Sequence, residues 1–144
     1  MSGISFIVEG DPKGQPRPRA FARKMGDKFV ARVYDAATAE GWKSIVALGW
    51  RSSGAERFTG PIRLTLKFHI RRPKSHSGAK GLKPSAPIHH CQKPDGDNFA
   101  KAVMDALTQC NAWEDDCNIV DLRVTKDWAE YPGCEITIEP LEAA

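Results

Sequence analysis

Lys93-Pro94-Asp95-Gly96-Asp97-Asn98-Phe99-Ala100-Lys101-Ala102-Val103-Met104-Asp105-Ala106-Leu107 reads as a turn running into a helix. Pro94 and Gly96 punctuate the turn, and Asp95, Asp97 and Asn98 are residue types that cap helix starts. From Phe99 the apolar residues fall at 99, 102, 103, 106 and 107, the stripe of an amphipathic helix over 98–109. Behind it comes Trp113-Glu114-Asp115-Asp116. Asp95, Asp97 and, if the chain returns, Asp116 would then crowd one helix entrance or its neighbourhood, where like charges repel unless a positive group sits between them. A divalent cation with hard oxygen ligands meets that need, Mg2+ first and Mn2+ as a substitute. The return of the chain is geometrically open. The helix is roughly 18 Å long, and the seven steps from Gln109 to Asp116 span at most about 25 Å.

Outward from this stretch, residues 62–71 are the clearest strand. Ile62, Leu64, Leu66, Phe68 and Ile70 point toward a core; Arg63, Thr65, Lys67, His69 and Arg71 form a basic face, either solvated surface or a nucleic-acid track. Ile4, Phe6 and Val8 alternate as a short first strand, and Met25-Gly26-Asp27-Lys28 looks like the turn of a hairpin between residues 20–24 and 29–34. Asp35 is a candidate N-cap for a helix with Trp42, Ile45, Val46 and Trp50 on one face. Its tryptophans are assigned to a core or a subunit contact. Past the second helix, Val120, Leu122 and Val124 alternate, and so do Cys134, Ile136 and Ile138 after Tyr131-Pro132-Gly133, which reads as a closing hairpin. The order β, hairpin, α, β, loop, α, β, β predicts an α+β fold, a small mixed sheet with two main helices, in one domain over residues 1–144.

With 41% hydrophobic and 27% charged residues, the composition is that of a globular protein, and no run approaches the ~18 apolar residues of a membrane span. The first ten residues lack a basic region and a long apolar run, so no secretory signal is expected and the expected location is cytoplasmic. Cys91, Cys110, Cys117 and Cys134 show no CxxC spacing and read as free thiols. His89-His90-Cys91 with Cys110 or Cys117 matches no ordinary zinc module. The net charge of +3 hides a division. Residues 1–94 hold 18 Lys/Arg against 6 Asp/Glu, a balance of +12, and residues 95–144 hold 3 against 12, a balance of −9. The basic part suits a polyanion and the acidic part a metal or an acidic surface.

The basic residues fall in two irregular stretches. Residues 10–18 carry Lys13 and Arg17 on a proline-rich loop that leads to Arg19 and Arg23, suited to phosphate contacts or to a protected edge strand. Residues 71–93 carry Arg71, Arg72, Lys74, Lys80, Lys83 and Lys93 with no acid, a substrate clamp or a surface loop. Lys101 follows Asp97 by four residues and shares its helix face. It is a candidate donor to a scissile phosphate, or a partner for Asp97 or Asp105. An EF-hand is excluded, because its twelfth position counted from Asp95 is Ala106 rather than Glu.

The run from Lys93 to Leu107, followed by Trp113-Glu114-Asp115-Asp116-Cys117-Asn118-Ile119-Val120, resembles the signature of the RusA family of Holliday junction resolvases. Gly14-Gln15-Pro16-Arg17-Pro18-Arg19, Pro73-Lys74-Ser75-His76 and Lys83-Pro84-Ser85-Ala86-Pro87 extend the likeness over nearly the whole chain. The resemblance implies a small Mg2+-dependent endodeoxyribonuclease, often phage-borne or bacterial, acting as a homodimer on DNA four-way junctions. It implies Asp95, Asp97 and Asp116 as catalytic metal ligands, Lys101 as the catalytic lysine and Asp115 as a further candidate ligand. Arg17, Arg19, Arg23, Arg71, Arg72, Lys74 and Lys93 are the candidate DNA contacts. Gly96 stands where the family carries a bulky apolar residue, which implies a looser turn and weaker metal binding, and Phe99 replaces the usual Leu. The alternatives are a junction-binding protein with a weak metal site and a flap or branched-DNA nuclease.

Overall fold

The computed structural model describes residues 2–15, 19–25, 28–34 and 38–142, with side chains for 2–15 and 39–142. In chain order the elements are β1 (Ile4–Glu9), β2 (Arg19–Met25), β3 (Lys28–Tyr34), α1 (Thr38–Ser53), β4 (Ile62–Arg71), β5 (Ser77–Gly78), β6 (Gly81–Leu82), α2 (Gly96–Gln109), β7 (Ile119–Ala129) and β8 (Gly133–Pro140). The expected α+β class holds: a mixed sheet in the order β1-β8-β4-β7, with α1 and α2 packed together on one face. The hairpin expected in the first third is present as β2 and β3, paired with Met25 opposite Lys28. Its turn residues Gly26 and Asp27, the candidate cap Asp35 and the candidate contact Arg17 lie outside the described residues.

β4 takes an interior position because it carries the longest apolar alternation. Ile62, Leu64, Leu66 and Phe68 are all fully buried, and β8 lays Ile138, Ile136 and Cys134 beside the last three of them. From α1 the core receives Trp42, Val46 and Trp50, so both tryptophans are core residues; from α2 it receives Phe99, Ala102, Val103, Ala106 and Leu107. The opposite face of the sheet is polar. Arg63 on β4 meets Asp121 on β7 at 2.7 Å and Glu139 on β8 at 3.1 Å, and His69 meets Glu135 at 2.7 Å. The basic face expected for β4 is therefore largely matched by carboxylates of its neighbours.

Two expectations need correction. The last two strands do not form a hairpin with each other: β4 lies between them, parallel to β7 and antiparallel to β8. Residues 130–132 step over the end of β4, across two strand spacings of about 4.8 Å each, which a three-residue link can span. The physical reason is burial. β7 is amphipathic and tolerates an edge, whereas β4 needs a neighbour on each side. The inward alternation of β7 departs only at its start: Val120 is 64% exposed and Ile119 packs on the core, whereas Leu122 and Val124 stand in register beside buried Leu64 and Leu66 as expected. A register irregularity at Ile62/Arg63 moves the start of β7 out of phase.

The long basic loop is built rather than bare. It holds a 3-10 turn at Lys74–His76 and the β5–β6 hairpin, and then runs along the edge of β7. There the Trp128 N–H donates to the Ile88 carbonyl at 2.8 Å and the His90 N–H to the Lys126 carbonyl at 3.1 Å. His90 is buried with its ring edge-on to Trp128 at 4.5 Å, and its Nδ1 has no partner. Burial, and then the charge of Lys126, hold its imidazole below the ordinary value of 6.5. The unfolded chain takes up that proton more readily than the folded one, so stability is full above about pH 6.5 and falls as the pH drops below it. Melting curves from pH 7.5 to 5 should show this decline, and His90→Leu should flatten it; an equal decline in the variant would assign the effect elsewhere.

Candidate active site

α2 begins where the chain leaves the covered edge of β7. The Lys126 ammonium donates to the Gln92 carbonyl at 2.9 Å and the Pro94 carbonyl at 3.0 Å, two carbonyls of the turn ahead of Asp95. Asp95 is the N-cap residue, and its carbonyl receives the Phe99 N–H at 3.0 Å. Its side chain makes no capping bond, so the carboxylate is available and exposed; Asp97, in the first helical turn, is exposed too. Both sit near the positive end of the helix dipole, which favours their charge.

The N-terminal basic loop docks on the same turn. The Gln15 N–H donates to the Asn98 carbonyl at 3.1 Å, and a Cβ at Gly14 would collide with Asn98 Nδ2. A side chain at position 14 would have to displace the Asn98 amide and crowd the Pro94 ring. Exposed Lys13 is thereby brought to the helix entrance, ahead of the strand that carries Arg19 and Arg23.

The far end of α2 sends the chain back. Asn111 adopts a left-handed φ of 62°, a helix-terminating conformation that Asn tolerates. Ala112 and Trp113 are then fully buried, and Trp113 Nε1 donates to Thr108 Oγ1 at 2.8 Å. A 3-10 turn over Asp116–Asn118 follows. Asp115 caps it by accepting the Asp116 N–H at 2.6 Å, and the Asn118 side chain answers by accepting the Asp115 N–H at 3.2 Å and donating to the Gly60 carbonyl at 3.0 Å. This reciprocal box aims Asp116 at α2.

Asp116 meets Lys101 there. Lys101 Nζ lies 3.1 Å from Asp116 Oδ2 and 3.0 Å from Asp105 Oδ1. The lysine hydrogen bond holds the Asp116 carboxyl below the usual carboxylate range, and Asp105 first, then Asp116, hold the ammonium above its ordinary value. The sequence predicts Asp95, Asp97 and Asp116 at one helix entrance or its neighbourhood. The structure brings Asp116 to Lys101, a full turn inside that entrance. The distance back from Gln109 is then roughly 12 Å rather than 18 Å, and the return is slack. Among the described residues no three His, Cys, Asp or Glu side chains stand close enough to hold a metal ion as they lie, the His-His-Cys stretch included. The Lys101 ammonium sits between the Asp105 and Asp116 carboxylates. The donor chemistry still fits a hard divalent cation: Asp95 and Asp97 offer exposed oxygens, and Asp116 is held ionised. Asp115 has one oxygen committed to its cap.

Arg71, Lys74 and Lys93 are exposed, and Arg72 is half-buried with its guanidinium on the Pro87 carbonyl at 2.7 Å. Sequence reasoning missed Lys126 and the Gly14–Asn98 contact, which have no local signal because their partners are distant in the chain. The Asp115–Asn118 box was visible as a spacing of three. Gly96 leaves no hole in the turn: a Cβ there would make ordinary contact with Val124 Cγ1 at 3.6 Å. Gly96→Ala should therefore stabilise the protein by about 0.4–1 kcal/mol, since it restricts mainly the unfolded chain. Lys126→Met should cost about 1–2 kcal/mol, since two carbonyls lose a charged donor. Urea denaturation measures both; a destabilising Gly96→Ala, or a neutral Lys126→Met, would contradict this account of the turn.

Comparison with known proteins places this geometry. A family model described as Endodeoxyribonuclease RusA matches residues 9–139. A protein of Bacillus subtilis (strain 168), carried under the name Uncharacterized protein YqaN, is 35% identical over 147 residues, covering 99% of this chain and 100% of that protein. The family match spans the basic loop after β1, the whole of α2 and the turn bearing Asp116. This chain belongs to the RusA family and is an endodeoxyribonuclease, an enzyme that hydrolyses phosphodiester bonds within DNA.

Proposed function

We propose that the protein is a Mg2+-dependent, structure-selective endonuclease that resolves four-way DNA junctions by paired cuts, as a cytoplasmic single-domain chain acting as a homodimer in recombination or repair. One observation carries this reading beyond the family: the return of Asp116 to Lys101 on the helix that presents Asp97 and is capped by Asp95. A two-fold enzyme suits a two-fold junction, since two sites make symmetric nicks.

In this reading Asp95, Asp97 and Asp116 hold the cation, with Mn2+ as a substitute. When bound, it supplies Lewis acidity toward the scissile phosphate. As a water forms the new P–O bond and the P–O3′ bond breaks, Lys101, protonated at Nζ through the neutral range, would donate toward a phosphate oxygen or the leaving 3′-oxygen, which gives a 5′-phosphate and a 3′-hydroxyl. Asp105 keeps that ammonium aimed. Arg17, Arg19, Arg23, Arg71, Arg72, Lys74 and Lys93 hold the DNA backbone, contacts that position the substrate without reading its sequence.

An end-labelled synthetic four-way junction, with duplex and flap controls, tests this. Wild type should make paired cuts that need Mg2+. Asp97→Asn should bind the junction and fail to cut, and Lys101→Ala should cut roughly 100- to 1,000-fold more slowly, the scale for losing one charge-stabilising donor. Tight junction binding without cuts in Mg2+ or Mn2+ would sink the catalytic assignment and favour a junction-binding role. Equal cutting of the flap would remove the junction selectivity.

A further inference from the structure

Where β4 and β7 end side by side, the β5–β6 hairpin folds back to enclose a cleft of about 550 Å³. Arg71, Arg72 and Lys74 line it from the β4 side, Ala129 and Glu130 from β7, and Leu82 from the hairpin. That volume is in the range of small-ligand sites, roughly 300–1,000 Å³. The walls are tied down. The Lys83 N–H donates to the His76 carbonyl at 2.9 Å, the Arg72 N–H to the Ala129 carbonyl at 3.2 Å, and the Arg72 guanidinium to the Pro87 carbonyl at 2.7 Å. Two cations remain for a ligand. Lys74 makes no ion pair among the described residues, and Arg71 meets Asp11 only at 3.3 Å between exposed ends, a weak surface pair.

Duplex backbone presents phosphates and sugars, which satisfy the cations but leave the apolar surface unused. Leu82 is 56% exposed at the mouth of this cleft, opposite Ala129. Apolar lining beside unmatched cations suits an unstacked nucleotide, whose base offers an apolar face and whose phosphate offers the charge. Glu130 adds an acceptor, which suits the exocyclic amino groups of adenine, cytosine or guanine, whereas thymine offers it only the ring N3–H. Along β7, Ala129 lies three residues, about 10 Å, beyond Lys126, whose ammonium grips the turn before Asp95.

We propose that this cleft receives one unpaired nucleotide of the branched DNA, with its base against Leu82 and Ala129, its phosphate on Arg71 and Lys74, and its amino group on Glu130. The proposal rests on the nuclease reading above and specifies which part of the substrate is held opened. Branched substrates are the source of such a nucleotide, since strands unstack where arms meet.

The experiment is a set of four-way junctions with a single abasic residue walked through the positions around the branch point. Binding is measured by fluorescence anisotropy in EDTA, with cutting in Mg2+ scored separately. At one or two positions the missing base should weaken wild-type binding by about 5- to 100-fold. Leu82→Asp should weaken binding of the intact junction and lose the sensitivity to the missing base. Glu130→Gln should lose any preference for an amino-bearing base over thymine at the same position. Wild-type binding that is indifferent to every abasic position would overturn the cleft, whatever the variants do. If that happens while paired cutting persists, only the cleft fails. If base-dependent binding is seen without cutting, the cleft stands and the nuclease reading fails.

Discussion

The stack of Phe99 on Phe68 is the contact on which the arrangement of this protein depends. The two rings lie 5.1 Å apart at 23°, and both are fully buried. Phe68 belongs to β4, inside the sheet, and Phe99 stands in the first turn of α2, two residues after Asp97. A ring buried that close to a helix start leaves little freedom in where the start sits. Val103, Ala106 and Leu107 extend the same buried stripe along the helix, so its direction is set as well as its origin. The exposed aspartates are thus held by apolar packing directly beneath them, and polar contacts make the final adjustment: Lys126 on the preceding carbonyls and Gln15 on Asn98.

Charge is arranged in the same layered way. The division into a basic part and an acidic part of the sequence looks like an invitation to a polyanion on one side and a metal on the other. In the folded chain some of it is matched internally. Arg63 joins Asp121 and Glu139 across three strands, and Lys101 joins Asp105 and Asp116 across the site. These pairs are partly exposed, and their worth lies more in orientation than in stability. Among the described residues, the exposed cations without an ion pair include Lys74 and Lys93 on the loop after β4 and Lys13 beside the entrance of α2.

The alternation of β4 and the helical stripe of α2 were legible because each is a local pattern whose period betrays the element and its buried face. The site residues were legible as types and spacings: Asp97 and Lys101 share a helix face by their separation of four. The neighbour of β7 was not legible. Its alternation says only that it is a strand, and the short turn to β8 suggested a hairpin that burial of β4 forbids. Nor was the phase of Val120, since one register irregularity reverses which side chain faces inward.

Local sequence by itself therefore determined the elements, the charged chemistry and the identity of the residues around the aspartates, because periodicity, capping preference and side-chain type act over a few residues. Tertiary structure decided three things that span long stretches of chain. It put β4 between β7 and β8, delivered Asp116 to Lys101 in place of a bare cluster of carboxylates, and set Lys126 against the turn that carries Asp95. Each depends on which distant surfaces can be buried together, and that is a property of the packed core rather than of any segment read alone.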